Sequence, residues 1–221
     1  MTIQLFTGFD EREAVGWHVF VSSVLRHASK PVAVHRLDAC GLPQGSNAFT
    51  MSRFLVPWLM RYQGHAIFAD GADMLCLGDI AELDALFNPR QAVQVVQHNY
   101  KTRNPRKYVG TPMEADNVDY DRKNWASLML INCEHPLWSD VTPDYLETAS
   151  KLEMLQLRGG ILNLEIGALP NAWNRIVDEG QPLEGAKICH FTSGVPWFPN
   201  YRNTPGADLW FAEYDRITGL P

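Results

Sequence analysis

Short runs of apolar and β-branched residues alternate along this chain with longer segments whose apolar residues recur at helical spacing. The short runs predict strands over residues 3–7, 32–37, 66–69, 92–97, 128–132 and 187–191. The helical spacing predicts helices over residues 11–27, 51–62, 143–156 and 208–218. This alternation is typical of βαβ units, in which helices cover both faces of a mostly parallel sheet. We therefore expect an α/β fold.

Two segments between these elements have no clear periodicity. The longer one covers residues 98–124 and is rich in Lys, Arg, Pro, Gly and Asp, and the other covers residues 157–173. A loop as long as the first is usually functional in a compact domain. We find no linker between domains in the sequence, so we expect a single domain over residues 1–221.

The composition changes this picture in two ways. The net charge of −6 argues against a nucleic-acid-binding protein, because that function usually requires a basic surface. A phosphorylated small molecule is still compatible with this charge, since a bound cation supplies positive charge locally. No apolar run approaches the ~20 residues that span a bilayer, and the four cysteines form no CxxC pair, which favours reduced core thiols. We therefore expect no integral membrane contact and a cytoplasmic location.

Polar residues follow several of the predicted strands. They are Gly8 and Asp10 after the first strand, Asp70 and Asp73 after the third, Gln97 and His98 after the fourth, and His190 and Gly194 at the last. In open α/β sheets, ligands bind outside the carboxyl ends of the strands. We therefore expect these residues to converge at one edge of one sheet.

The sequence Asp70-Gly71-Ala72-Asp73 is the strongest candidate for a ligand site. Two carboxylates at a tight turn after a buried strand can share a divalent cation, because hard cations prefer oxygen ligands. With His190 the donor set becomes mixed oxygen and nitrogen, which suits Mn²⁺ at least as well as Mg²⁺. The alternative is an ordinary turn in which Asp70 caps the following backbone. From these residues alone, the two interpretations are equally good.

Other candidates have similar alternatives. Asp10 either binds a ligand or caps the helix that begins near Glu11, and Asp79 is best explained as a helix N-cap. Arg53 holds either a phosphate or a neighbouring carboxylate. The run from Lys101 to Lys107 carries four basic residues in seven, and either is a solvated loop or closes over an anionic ligand. The absence of GxGxxG, GxxxxGK[ST], HExxH and GxSxG removes the main support for dehydrogenases, P-loop NTPases, zincins and α/β-hydrolases.

Several blocks of this sequence share their order with a known family. Residues 52–80 contain Ser52-Arg53-Phe54-Leu55, then a strand, then Asp70-Gly71-Ala72-Asp73 and Gly78-Asp79-Ile80. This order resembles the central motif of the family 8 glycosyltransferases, which have the GT-A fold. Residues 124–132 are similar to the family's Asn-Ser-Gly-Val-Met-Leu-Ile-Asn segment, and residues 190–197 to its His-Phe-x-Gly-x-x-Lys-Pro-Trp motif. Residues 6–10 look like its uridine-binding first loop.

The resemblance implies roles for individual residues. Asp70, Asp73 and His190 would bind the metal, and Arg53 would lie near the diphosphate and the donor sugar. The resemblance puts Thr7, Gly8, Asp10 and Gly194 around the nucleotide and its phosphates, and Asn124 and Ser127 near the donor sugar or the acceptor. Apart from the resemblance, Lys101 in the basic run is a candidate for binding the phosphates, and Gln97 is a candidate neighbour of the sugar.

The chain also departs from the family pattern. Its acidic motif has two residues between the aspartates instead of one, so Asp70 must reach from one residue earlier. The family's lysine before Pro-Trp is absent, because Val195 leads directly to Pro196. Neutralisation of the diphosphate would then fall to Arg53 or to residues 101–107.

Together, these observations predict a metal-dependent enzyme that transfers a sugar from a nucleoside-diphosphate sugar to an acceptor hydroxyl. A UDP-sugar donor and retention of anomeric configuration are implied by the resemblance, and the acceptor is a saccharide or another hydroxyl compound. Two alternatives stay open. One is a weakly active or inactive nucleotide-sugar binding protein, and the other is a nucleotidyltransferase. The sequence does not indicate an oligomeric state.

Overall fold

A computed structural model describes residues 2–158 and 165–219. The strands in this part of the chain are β1 (Ile3–Gly8), β2 (Val32–Leu37), β3 (His65–Ala69), β4 (Met74–Cys76), β5 (Val93–Val95), β6 (Arg106–Lys107), β7 (Ala115–Asp116), β8 (Leu128–Asn132), β9 (Ile166–Ala168), β10 (Arg175–Ile176) and β11 (Ile188–His190). The α-helices are α1 (Ala14–His27), α2 (Val56–Leu59), α3 (Ile80–Asp84), α4 (Pro143–Thr148), α5 (Lys151–Leu155) and α6 (Ala207–Thr218).

The main sheet is six-stranded, in the order β2-β1-β3-β8-β5-β9. Strand β1 is parallel to β2 and β3, and β5 is parallel to β9, whereas β8 is antiparallel to both β3 and β5. The sheet is therefore mostly parallel, as the sequence predicts. Because β8 is reversed, its first residue, Leu128, pairs with Ala69 at the carboxyl end of β3. The residues that precede β8 consequently lie beside those that follow β3.

A second sheet brings the end of the chain to the same edge. Its order is β10-β11-β4, and β11 is antiparallel to β4 with His190 opposite Met74. This pairing explains why His190 lies next to Asp73, which immediately precedes β4. The predicted strand over 187–191 thus exists, but it belongs to this second sheet.

Both faces of the main sheet are covered. Successive residues of a strand point to opposite faces, and this alternation divides the core into two clusters. Phe68 and Met129 face a cluster that includes Phe54 and Trp138, whereas Ile67 faces a cluster built on α1 and α3. The structure therefore confirms the α/β class, with helical segments on both sides of the sheet.

Two predicted helices are shorter than expected. Of residues 51–62, Ser52–Leu55 form a 3₁₀ turn and only α2 is α-helical. Trp58 in α2 is 43% exposed, so the side of the helix that carries it does not pack into the core. The helix predicted over 143–156 breaks at Ala149, which is extended, and α5 restarts with Ser150 as its N-cap. Asp79 is the N-cap of α3, as expected.

The long segment 98–124 contains only the two-residue strands β6 and β7, paired as a short hairpin. Its backbone is held against the segment that follows β11, because the amide of Tyr108 donates to the carbonyl of Ser193 at 2.6 Å. Residues 159–164 of the other irregular segment lie outside the described residues.

The cysteines and the helices test two further expectations. Three cysteines are buried, but Cys40 is exposed, so the expectation of a core thiol is wrong at that position. No helix within residues 2–158 and 165–219 is long and apolar enough to cross a membrane.

Candidate functional site

The acidic motif forms a tight turn directly after β3. Gly71 has a φ of +85°, which a residue without a side chain adopts at no steric cost. The amide of Met74 donates to the Gly71 carbonyl at 2.9 Å, and this bond closes the turn. The amide of Asp70 donates to the carbonyl of Ser127 at 2.9 Å, which ties the turn to the residues before β8. Asp70 and Asp73 are thereby held on the same side of the sheet edge.

Asp70, Asp73 and His190 form one compact group. Each offers a ligand atom, and these atoms all lie within 4.8 Å of one another. The three residues are 9%, 8% and 1% exposed, respectively. Asp73 Oδ1 is buried and accepts no hydrogen bond from any residue that the structure describes, whereas Asp70 Oδ1 is ion-paired with Arg53 Nη1 at 2.7 Å. A buried carboxylate oxygen without a donor, next to a second carboxylate and an imidazole nitrogen, fits a divalent cation such as Mn²⁺ or Mg²⁺.

His190 is oriented by a residue that the sequence pattern does not reveal. Its Nδ1 lies 2.9 Å from Asn174 Oδ1, and its Nε2 lies 3.2 Å from Asp73 Oδ2. Asn174 is fully buried, and its Nδ2 donates to Ser127 Oγ at 2.9 Å. The amide oxygen can only accept, so it fixes a proton on Nδ1 and directs Nε2 towards the aspartates. A hydrogen bond of this kind behind a metal-ligating histidine sets its tautomer and orientation.

The charges of the group influence one another. Burial alone would lower the pKa of His190, but the charge of Asp73 and the hydrogen bond to it raise that pKa above its ordinary value. Burial raises the pKa of Asp70 to about 6, although the positive charge of Arg53 opposes the shift. Without a cation, the group therefore holds its negative charge at a cost, which a bound cation would relieve.

Arg53 is buried beneath the turn. Its Nη1 lies 2.7 Å from Asp70 Oδ1, while its N–H groups donate to the carbonyls of Ala126 and Thr50 at 2.9 Å and 3.0 Å. The guanidinium thus forms an ion pair with Asp70, and its hydrogen bonds fasten the turn to neighbouring backbone. An ion pair with a neighbouring carboxylate was one of the two roles that the sequence left open for Arg53, and the other was binding a phosphate. Arg53 also lines the cavity above the metal group, so contact with a ligand is compatible with the same position.

Glu13 and Lys107 are two charged residues near the metal group for which no individual role was predicted. Burial, together with the charge of Asp73, raises the pKa of Glu13 to about 8, against the effect of a hydrogen bond with Tyr108. Lys107 lines the same cavity as Asp70, Asp73 and His190. Burial lowers the pKa of Lys107, and the charges of Asp73 and Asp70 partly offset this. The long basic segment therefore contributes a cation to the cavity.

The predicted nucleotide residues have varied surroundings. Thr7 is fully buried, and its hydroxyl accepts a hydrogen bond from Trp17 Nε1 at 2.6 Å. A Cβ on Gly8 would lie 2.2 Å from the Phe49 ring, so close packing already requires a glycine there. Asp10 is the N-cap of the 3₁₀ turn Glu11–Glu13. It also lines a surface cavity at the ends of β1 and β2.

The carboxylate of Asp10 is already well occupied. Its oxygens accept from Arg12 Nε and Nη2 at 2.8 Å and 2.6 Å, and from the Ala48 amide at 3.0 Å. Burial would raise the pKa of Asp10, but these hydrogen bonds hold it below its ordinary value. Asp10 therefore caps the following turn, which is one of the two roles that the sequence left open for it.

The residues predicted near the donor sugar and the phosphates separate into two groups. Asn124 and Ser127 line the cavity of the metal group, and Asn124 Nδ2 donates to the Tyr100 hydroxyl at 2.8 Å. Ser127 Oγ donates to the Asn124 carbonyl at 2.7 Å. Three other predicted residues, Gln97, Lys101 and Gly194, are not among those lining this cavity. Gln97 is exposed, and Lys101 is exposed beside Asp119. Gly194 packs against the Tyr201 ring, which would lie 2.5 Å from a Cβ at this position.

A second cavity adjoins the first. It has a volume of about 230 Å³ and lies between residues 98–101 and 119–123. Tyr120 lines both cavities, so they share a wall. His98 also lines the second cavity, and burial lowers its pKa to about 3, so its imidazole is uncharged.

Solved structures share this fold. The galactosyltransferase LgtC, in complex with donor and acceptor sugar analogs, has a TM-score of 0.64 at 12% identity, over 99% of this chain and 98% of its own. GlyE of Streptococcus pneumoniae has a TM-score of 0.62 at 14% identity, over 97% of this chain and 60% of its own. The bifunctional glycosyltransferase WbbM has a TM-score of 0.62 at 14% identity over 96% of this chain, which spans about half (51%) of WbbM. The chain thus shares the GT-A fold of these glycosyltransferases, as the sequence blocks predict.

Sequence similarity gives the narrower relationship. No family model matches the chain. Protein CDI of Arabidopsis thaliana is 33% identical to it over 228 residues, which cover 96% of this chain and 86% of that protein. The chain belongs to the same family as Protein CDI.

Proposed function

We propose that this protein transfers a sugar from a nucleoside-diphosphate sugar to an acceptor hydroxyl, with a divalent cation held by Asp70, Asp73 and His190. The observation that carries the proposal is the buried group of two carboxylates and an imidazole at the edge of a GT-A sheet. The buried Asp73 oxygen that lacks a hydrogen-bond donor favours a cation over an ordinary turn. Mn²⁺ suits the mixed donor set, and Mg²⁺ is the alternative.

The bound cation would supply positive charge to the oxygens of the departing diphosphate. The chain's own residues prepare the site for this. Arg53 favours the charged form of Asp70, since its positive charge opposes the rise in that pKa. Asn174 holds His190 with its Nε2 directed towards the aspartates. Asn124 and Ser127 line the same cavity, which supports the proposal that they lie beside the donor sugar.

We propose that the acceptor enters through the second cavity. Support comes from the shared wall at Tyr120, because an acceptor hydroxyl there would be next to the donor cavity. The neutral imidazole of His98 suits a hydrogen bond with an uncharged hydroxyl compound such as a saccharide.

A uridine nucleotide, retention of configuration and the action of the whole chain as one domain are further parts of the proposal. They rest on the resemblance of residues 6–10 and of the other sequence blocks to family 8 glycosyltransferases. The cytoplasmic location stays a prediction from the sequence.

Thermal stability in the presence of ligands tests donor binding. A ligand that binds the native state raises the apparent stability. UDP and GDP are each tested with and without Mn²⁺. The preferred nucleotide should raise the melting temperature beyond its value with Mn²⁺ alone, and it should do so only when Mn²⁺ is present. The Asp73→Asn variant should lose this shift. Asp140→Asn is the matched control, because Asp140 is exposed and is not among the residues lining either cavity.

The outcomes also separate the alternatives. No shift with either nucleotide at saturating concentration would sink the donor proposal. Binding without release of the diphosphate from any nucleotide sugar, in the presence of candidate acceptors, would favour an inactive binding protein. Release of pyrophosphate from a nucleoside triphosphate would instead favour a nucleotidyltransferase.

A further inference from the structure

The cavity of the metal group contains more negative than available positive charge. Asp70 and Asp73 line it, and its basic lining residues other than His190 are Arg53 and Lys107. Arg53 is already engaged by Asp70 and by two backbone carbonyls. The proposed divalent metal balances the two carboxylates, so a diphosphate that enters this cavity still needs a cationic side chain.

Lys107 is placed in the cavity by backbone contacts on both sides. It lies in β6, whose register pairs it with Ala115 of β7. The next residue, Tyr108, donates its amide to the Ser193 carbonyl at 2.6 Å, and the Val109 amide donates to the Tyr201 hydroxyl at 2.7 Å. These bonds fasten β6 beside the segment that follows His190. The position of Lys107 therefore does not depend on a ligand.

Two neighbouring cations, Arg106 and Lys123, have protein partners, whereas Lys107 has none among the described residues. Arg106 pairs with Glu114 and Asp116, and Lys123 donates to three oxygen atoms, including Asn117 Oδ1. Lys107 forms no ion pair and donates no hydrogen bond to any residue that the structure describes, and its Nζ lies 5.7 Å from the centre of the Tyr108 ring. A half-buried ammonium group without an anionic partner, facing a cavity, is suited to an anionic ligand.

We propose that Lys107 binds the diphosphate of the nucleotide donor. The proposal rests on the proposed function and deepens it by naming the residue that meets the leaving group. Lys107 would also take the place of the lysine that the family 8 motif has before Pro-Trp, where this chain has Val195. It reaches the site from a different segment, in which the amide of the next residue, Tyr108, donates to the Ser193 carbonyl. An ammonium ion at this position hydrogen-bonds phosphate oxygens and stabilises the charge that develops as the glycosidic bond breaks.

Calorimetry with paired ligands tests the proposal. The affinities of UDP and GDP in the presence of Mn²⁺ are compared with those of uridine and guanosine, which lack the diphosphate. Lys107→Met should weaken binding of the preferred diphosphate about 10- to 100-fold, the usual loss for a charge-assisted hydrogen bond. It should leave the affinity for the matching nucleoside unchanged. Lys107→Arg should recover most of the diphosphate affinity.

Lys30→Met is the matched control, because Lys30 is exposed and lines neither cavity. It should bind the diphosphate as the wild type does. If the wild type binds and Lys107→Met binds equally well, the role of Lys107 is refuted while the proposed function stands. If the folded wild type binds neither diphosphate, both are refuted. An equal loss for nucleoside and diphosphate would also refute the role, because it would indicate a structural defect.

Discussion

Asn174 connects His190 to Ser127, and its replacement by alanine tests whether the imidazole is held for metal binding. The variant removes the acceptor that lies 2.9 Å from His190 Nδ1 and the donor that lies 2.9 Å from Ser127 Oγ. Both partners are buried, so each is left without its hydrogen bond at a cost of roughly 1–3 kcal/mol. We therefore expect the free energy of unfolding to fall by about 2–6 kcal/mol in the absence of metal.

The effect on metal binding is separate from this loss of stability. Without the Asn174 amide oxygen, the His190 ring can rotate or change its tautomer. Loss of such a supporting hydrogen bond typically costs about 10- to 100-fold in metal affinity. Urea unfolding monitored by circular dichroism measures the stability, and titration calorimetry at a temperature where the variant is folded measures the affinity for Mn²⁺.

Asn174→Asp is the informative companion variant, because its carboxylate still accepts from His190 Nδ1 but does not donate to Ser127. It should retain metal affinity better than Asn174→Ala while losing stability. A folded Asn174→Ala protein that binds Mn²⁺ as tightly as the wild type would refute the orienting role of Asn174.

Three further predictions follow from charges and backbone geometry near the site. The pKa of Glu13 is about 8, above its ordinary value of 4.5, so the folded metal-free protein should lose stability as the pH rises through this interval. Glu13→Gln should remove most of that pH dependence in urea unfolding with EDTA present, and an unchanged profile would contradict the assignment. Arg53→Met removes the cation paired with Asp70 and should cost roughly 3–5 kcal/mol of unfolding free energy. It should also weaken Mn²⁺ binding near pH 6, and unchanged calorimetry would argue against the role of the ion pair. Gly71→Ala places a side chain at a φ of +85° and should cost about 1–2 kcal/mol in the same unfolding assay, whereas a neutral effect would mean that the turn rearranges freely.

The local parts of the site were predictable from the sequence. Asp70 and Asp73 follow a short apolar strand, and a glycine between them allows the tight turn that the structure contains. The strands β1 and β8 also match their apolar runs closely, because burial on both faces leaves a strong hydrophobic signal. The prediction of one continuous helix over 143–156 was wrong in the middle of that range. The Ser150 side chain caps the start of a new helix there, and this hydrogen bond competes with continuation of the first helix.

The remaining parts depend on contacts between distant residues. Asn174 belongs to no recognisable motif, and its role arises only because its side chain reaches both His190 and Ser127. Glu13 looks like an ordinary residue of a first helical turn, but the fold buries it near Asp73. For the basic run, the sequence left a solvated loop and a contact with an anionic ligand as alternatives, and it singled out Lys101 where the structure places Lys107 in the cavity. The backbone bond between Tyr108 and Ser193, which are distant in sequence, holds that segment beside the site.

The central claim is that the group formed by Asp70, Asp73 and His190 supports sugar transfer from a nucleotide donor. Its most direct test is the release of nucleoside diphosphate from a panel of UDP- and GDP-sugars by the wild-type protein and by Asp73→Asn, with Mn²⁺ or with EDTA, in the presence of saccharide acceptors. We expect release by the wild type with Mn²⁺, little with EDTA, and a loss of at least about 100-fold in Asp73→Asn. Release that is equally fast in EDTA and in the variant would contradict the role of this group in the reaction.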